Sequence, residues 1–91
     1  MKIFIISRQS FYKNSRGEHI QMCNDNPVIE VYQSFNGARD HIERMRMRNY
    51  PFHRAECLYE CGDDICLKVI IRDNDNYPVH VYSIIRKEVM S

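Results

Sequence analysis

The fold is decided between residues 28 and 49, which read VIEVYQSFNGARDHIERMRMRN. The first five residues are mostly β-branched or aromatic, which is typical of a strand. Ser34 can then cap a helix that Pro51 would end. Between them, side chains recur on one helix face, within an arc of about 80° at 3.6 residues per turn: Phe35, Ala38, Ile42, Met45 and Asn49. We therefore predict a helix over residues 35–49, directly after a strand.

Much of the remaining chain consists of short apolar or alternating runs separated by turn-forming residues, which favours strands. Polar clusters at 13–18, 24–27, 62–64 and 73–76 are the expected turns. The strands are expected at residues 3–12, 28–32, 55–61, 65–71 and 77–89, and residues 19–23 could return as a further short strand. This order predicts an α+β fold with a small antiparallel sheet of four to five strands and one main helix packed on one face. Residues 52–61 could instead form a short helix that ends at Gly62.

Length and composition indicate a single domain over residues 1–91, since 91 residues are few for two domains and 44% of them are hydrophobic. Thirteen basic and twelve acidic side chains give a net charge of +1, without the basic excess that is typical of nucleic-acid-binding proteins. The apolar run after Met1 is too short for a signal peptide or a membrane span. We therefore expect a cytoplasmic protein without membrane contact, whose four cysteines are thiols.

Four residues that can bind zinc follow one another closely in the sequence: His53, Cys57, Cys61 and Cys66. In a strand, the residues at 57 and 61 would lie about 13 Å apart, whereas two sulfurs on one zinc lie within about 4 Å. A strand here excludes a shared metal, and a helical turn would permit one. Our main prediction is no metal and no cofactor. Cys61 and Cys66 would also face each other across a two-residue turn at 63–64, as two neighbouring thiols.

A second candidate site is the arginine-rich part of the predicted helix with the tyrosine that follows it. A nucleic-acid surface would use these side chains together: Arg39, Arg44, Arg46, Arg48 and Tyr50. On a helix, however, Asp40 can pair with Arg44, and Glu43 lies at pairing distance from Arg39 and Arg46. A solvated, partly neutralised helix face is the simpler interpretation, so nucleic-acid binding is the alternative.

Catalysis has little support in the sequence. Gly-rich phosphate loops, the Gly-x-Ser-x-Gly motif and paired His-Glu helix motifs do not occur. Four histidines, together with arginines and tyrosines, could furnish the acid–base groups of a small ribonuclease-type toxin: His19, His41, His53 and His80. Such toxins are usually strongly basic and usually place two helices before the sheet, and this chain departs from both features. We predict no catalytic residues and keep this activity as a remote alternative.

The function expected from these observations is that of a small non-enzymatic interaction protein. Such a protein would act through a sheet edge, a poorly covered sheet face or a helix face, either with an unknown protein partner or with a second copy in a homodimer. The runs 31–42 and 81–89 resemble in layout the small domains found in bacteria and their phages, which would suit an accessory or inhibitor-like role. That resemblance implies no functional residues.

Overall fold

A computed structural model describes residues 1–21, 28–62 and 64–90, without the side chains of His19 and Gln21. The elements are β1 Lys2–Lys13, β2 His19–Gln21, β3 Val28–Tyr32, α1 Phe35–Asn49, β4 Arg54–Tyr59, β5 Ile65–Arg72 and β6 Pro78–Glu88. The turn expected at 24–27 and the end of the strand expected at 19–23 lie outside the described residues. Within these ranges, no helix is long and apolar enough to cross a membrane.

The long strand β1 organises the sheet. Along one side it pairs with β6, from Lys2 opposite Glu88 to Ser10 opposite His80. Its other side pairs with β3 near its start and with β2 near its end. β5 follows β6, and β4 closes the far edge. All these pairs are antiparallel, so the predicted α+β class, an antiparallel sheet with a helix packed on it, is confirmed.

The helix begins and ends where the sequence predicts. The hydroxyl of Ser34 accepts a hydrogen bond from the backbone N–H of Gly37, 3.0 Å away, so the predicted cap is confirmed. Gly37 has a steric role here, because a Cβ at this position would lie 2.9 Å from Ser34 Oγ and 3.1 Å from the Tyr32 ring. At the other end, the backbone N–H of Tyr50 donates to Arg46 O.

One core lies between α1 and the sheet face beneath it. The helix contributes Ala38 and Ile42 from the predicted apolar stripe, and both are buried. Alternate residues of the three central strands contribute the rest. These are Ile6, Leu67, Val69, Ile71, Tyr82 and Ile84, with Phe4, Ile29, Tyr32, Phe35, Met45 and Tyr50 packed around them.

Residues 54–59 form a strand, so the alternative of a helix over 52–61 is wrong. The strand β4 pairs with β5 from Arg54 opposite Arg72 to Tyr59 opposite Leu67. Arg54 and Glu56 alternate with Ala55 and Cys57, which is typical of a strand with one solvated face, and all six residues of this edge strand are exposed. The strand ends two residues earlier than expected because Glu60 has a left-handed backbone, with φ of 51°.

A bulge interrupts the pairing of β5 with β6. Ile65 lies opposite Ile85, but Leu67 lies opposite Ile84, so Cys66 is the additional residue. Regular alternation along the predicted strand 65–71 would place Ile65 on the same face as Leu67 and the following core residues. That expectation is wrong, because the bulge turns Ile65 to the opposite face of the sheet.

The two cysteines of the β4–β5 connection do not face each other. The backbone N–H of Cys61 donates to Ile65 O, and that of Glu60 donates to Cys66 O. Cys61 is therefore opposite Ile65, one step away from the arrangement that a turn at 63–64 would give. The connection is one residue longer than expected because the carbonyl of Ile65 accepts from the N–H of Cys61, whereas a two-residue turn at 63–64 would pair that carbonyl with Gly62.

Candidate functional site

The sheet face turned away from α1 is uncovered within the described residues and is rich in aliphatic side chains. Strand alternation and register place Ile5, Ile85 and Ile65 in one row across three strands, and Val31 extends this row onto β3. A second row joins Val81 to Ile70. We call this surface the open face; its aliphatic residues are Ile3, Ile5, Val31, Leu58, Ile65, Ile70, Val81 and Ile85, each half-buried or exposed.

The centre of the open face is a row of smaller and polar residues. Ser7 lies opposite Ser83, and Ser83 lies opposite Lys68 on the next strand. Full charges otherwise lie towards its perimeter. Arg72 donates two hydrogen bonds to Glu56 at 3.2 and 3.1 Å, and this pair fixes one corner. The open face therefore consists of two aliphatic rows separated by this polar row, and large exposed apolar patches bordered by polar residues are typical of interaction sites.

The free edge of β4 is the second surface that could recruit a partner. All six of its residues are exposed. The strand carries Arg54 and Glu56, however, and charged residues on an edge oppose pairing with another strand. The open face is therefore the better candidate for association than the sheet edge.

The structure divides the predicted arginine site into separate environments. Arg46 donates two hydrogen bonds to Glu43, which lowers the pKa of that carboxyl and raises the pKa of the guanidinium. Arg39 lies over the ring of Phe35, 6.0 Å from its centroid. Tyr50 contacts His80 on the sheet. These side chains therefore do not form one continuous surface.

Two of the predicted arginines do come together. Arg44 and Arg48 are exposed and line a groove of about 390 Å³ with His41 and Met45. His41 is held there by a hydrogen bond of 2.8 Å to the hydroxyl of Tyr32. This groove is the part of the arginine prediction that retains a plausible geometry for an anionic partner.

The alternative zinc site is not assembled. His53 packs against the Tyr50 ring, Cys57 and Cys61 are exposed thiols, and Cys66 is a buried thiol. The thiol of Cys61 donates to Leu58 O at 3.3 Å. Among residues 1–21, 28–62 and 64–90, no three His, Cys, Asp or Glu side chains are grouped so that they could hold a metal.

A chain of polar side chains at the C-terminal end of α1 is the feature that sequence reasoning missed. Ser10 Oγ and His80 Nδ1 are 2.8 Å apart, and the Tyr50 hydroxyl is hydrogen-bonded to His80 Nε2. The chain links β1, β6 and the end of the helix. The ring of His53 lies 5.3 Å from the ring of Tyr50. Tyr50 therefore contacts two of the four histidines considered above, His53 and His80.

Burial favours the neutral forms of the His80 and Tyr50 side chains in this hydrogen-bonded group. Desolvation lowers the pKa of His80, and the positive charges of Arg8 and His53 act in the same direction. Desolvation also raises the pKa of Tyr50. The neutral imidazole can donate from one ring nitrogen and accept at the other. Because Ser10 is only 6% exposed, the arrangement fits a link between elements better than a nucleophile that meets substrate.

Two buried atoms near this chain make no hydrogen bond within the described part of the protein, namely Arg8 Nε and Tyr82 Oη. Arg8 lies opposite Tyr82 across β1 and β6. The predicted strand at 77–89 already placed His80 and Tyr82 on the same face as Ile84, which was a usable signal. The sequence could not show that His80 would contact Ser10 on β1 and Tyr50 at the end of α1, because those contacts depend on strand register and on the position of the helix.

The chain matches no known family model, no curated protein and no solved structure.

Proposed function

We propose that this protein is a non-enzymatic interaction protein that pairs with a second copy of itself through the open face. The observation that carries the proposal is the aliphatic surface of Ile5, Ile85, Ile65, Val81 and Ile70, which α1 leaves uncovered on the far side of the sheet. Burying such a surface against another apolar face is favourable by about 25 cal/mol per Å².

The dimensions of the open face suit a dimer. With strands about 4.8 Å apart and a rise of about 3.3 Å per residue, the sheet measures about 24 by 30 Å, or about 700 Å². A stable interface commonly buries about 800 Å² on each partner. A symmetric dimer places the same patch on both subunits, so one self-complementary face is sufficient.

The charge distribution is also compatible with self-association. The chain has a net charge of only +1, so two copies do not repel strongly. Lys68 is the charged residue nearest the centre, and the stem of a lysine can lie along apolar surface while its ammonium group reaches the rim.

The experiment compares two lysine substitutions by size-exclusion chromatography with light scattering. Ile85→Lys places a charge on the open face, and Phe52→Lys makes a comparable change at a side chain that is 94% exposed outside it. We expect the unmodified chain and Phe52→Lys to elute at twice the chain mass of 11.0 kDa, and Ile85→Lys to elute as a monomer with an unchanged circular dichroism spectrum.

A monomeric unmodified chain at high concentration would overturn the proposal. So would a dimer that Ile85→Lys leaves intact. If Ile85→Lys fails to fold, Ile5→Lys on the neighbouring strand repeats the test.

Nucleic-acid binding is the second candidate, because Arg44 and Arg48 share one groove with His41. Binding that relies on phosphate contacts weakens steeply as the salt concentration rises. The double variant Arg44→Gln/Arg48→Gln should then abolish binding of a single-stranded oligonucleotide, while Arg54→Gln on β4 should not. Equal binding by both variants would remove this candidate.

A further inference from the structure

A cavity of about 290 Å³ lies on the helix side of the sheet, away from the open face. Its walls come from the start of β1, the start of α1, the end of β6 and the β4–β5 connection, and are formed by Phe4, Phe35, Tyr59, Glu60, Cys66 and Arg86. Tyr59 is 60% exposed and forms part of the rim. The volume is close to the lower end of the range for small-molecule sites, about 300 to 1,000 Å³.

The lining combines aromatic walls with one cationic group. The rings of Phe4 and Phe35 meet edge to face at 6.2 Å. The guanidinium of Arg86 is 3.9 Å from the carboxylate of Glu60, at the outer limit for an ion pair. Both side chains are accessible to solvent, and such a pair is held weakly. The guanidinium can therefore turn to another carboxylate, which it binds through two parallel N–H donors.

The backbone departs from regular geometry at the same wall. The bulge at Cys66 directs this buried residue towards the cavity, and Glu60 has a φ of 51°. Bulges are frequent beside binding sites, and left-handed conformations at residues other than glycine are retained where the surroundings hold them. Both irregularities adjoin the pair of Glu60 and Arg86 in the cavity wall.

We propose that this cavity binds a small aromatic carboxylate, with the ring against Phe4, Phe35 and Tyr59 and the carboxylate on Arg86. Aromatic walls favour a flat apolar body, and the guanidinium supplies the specificity for its acidic group. The proposal does not depend on self-association, because the cavity and the open face lie on opposite sides of the sheet.

The test is an NMR titration of the ¹⁵N-labelled full chain with phenylacetate and, as a matched neutral ligand, phenylacetamide. We expect phenylacetate to shift the backbone amides of Phe35, Glu60, Cys66 and Arg86. We expect it to bind about tenfold more tightly than the amide, which corresponds to one charge-assisted hydrogen bond. Amides at the opposite end of the open face, those of Ile70 and Val81, should not move.

Substitution of the arginine separates charge recognition from general apolar binding. In Arg86→Gln, phenylacetate should bind as weakly as phenylacetamide. Arg54→Gln, at the end of β4 that is remote from the cavity, should leave the affinity for phenylacetate unchanged. The absence of shifts at the cavity, or equal affinity for acid and amide in the unmodified chain, would overturn the proposal. The comparison of the two ligands does not require any variant to fold.

Discussion

At the scale of single residues, the hydrogen-bonded chain Ser10–His80–Tyr50 makes stability depend on pH. The pKa of folded His80 lies below its ordinary value of 6.5, mainly because the partly buried site disfavours the charged ring. Below pH 6.5 the unfolded chain therefore takes up protons that the folded chain does not. The free energy of unfolding must decrease as the pH falls through this window.

We predict that urea denaturation will show lower stability at pH 5.5 than at pH 7.5, by at most about 1.4 kcal/mol per pH unit for a single proton. The variant His80→Gln should lose most of this dependence, while His41→Gln, which changes a histidine on the helix, should retain it. The same pH dependence in all three proteins would show that His80 is not its source.

Gly37 is a residue whose importance the sequence alone misrepresents. An alanine usually stabilises a helix interior relative to glycine by about 1 kcal/mol. Here the added Cβ would lie 2.9 Å from the capping hydroxyl of Ser34, which has to move and lose its hydrogen bond. Helix propensity alone indicates only that a glycine here weakens the first turn. The approach of Tyr32 and Ser34 could not be predicted, because it depends on how β3 enters the helix.

We therefore predict that Gly37→Ala destabilises the protein by about 0.5 to 2 kcal/mol, the usual loss for a helix cap. Asn36→Ala, at the neighbouring exposed position, should change stability little. Thermal melting of the two variants under identical conditions checks this. A higher melting temperature for Gly37→Ala would contradict the steric explanation.

At the scale of elements, the helix and the main strands could be predicted because their apolar spacing is set by the face each must bury. Helix 35–49 and the strand that precedes it follow directly from this spacing. The bulge at Cys66 could not be predicted, since the run from Ile65 to Ile71 already has an apolar residue at every second position without it. The bulge arises from how β5 fits against β6, and it redirects both Ile65 and Cys66.

The helix stabilises the fold through one narrow stripe. We predict that Ile42→Ala, at a fully buried position, lowers the free energy of unfolding by about 2 to 5 kcal/mol. Met47→Ala on the same helix, at a residue that is 54% exposed, should change it by less than about 0.5 kcal/mol. Chemical denaturation measures both, and similar losses at the two positions would be inconsistent with this packing.

At the scale of the whole molecule, the fold covers one face of its sheet and leaves the other uncovered within the described residues. The sequence indicated a poorly covered face but not its composition, because the rows of the open face depend on the register of five strands. The predicted arginine site was a set of residues that are close in sequence, and closeness in sequence does not fix which of them share a surface. In the structure, Arg46 pairs with Glu43 and Tyr50 contacts His80, so these two residues lie apart from the other arginines of the predicted site.

The most direct test of self-association locates the interface itself. A mixture of isotope-labelled and unlabelled chains gives NMR contacts between copies. We predict intermolecular contacts from the methyl groups of Ile5, Ile70 and Ile85, which lie on the open face. Intermolecular contacts confined to β4 or α1, or their complete absence at high protein concentration, would contradict the account.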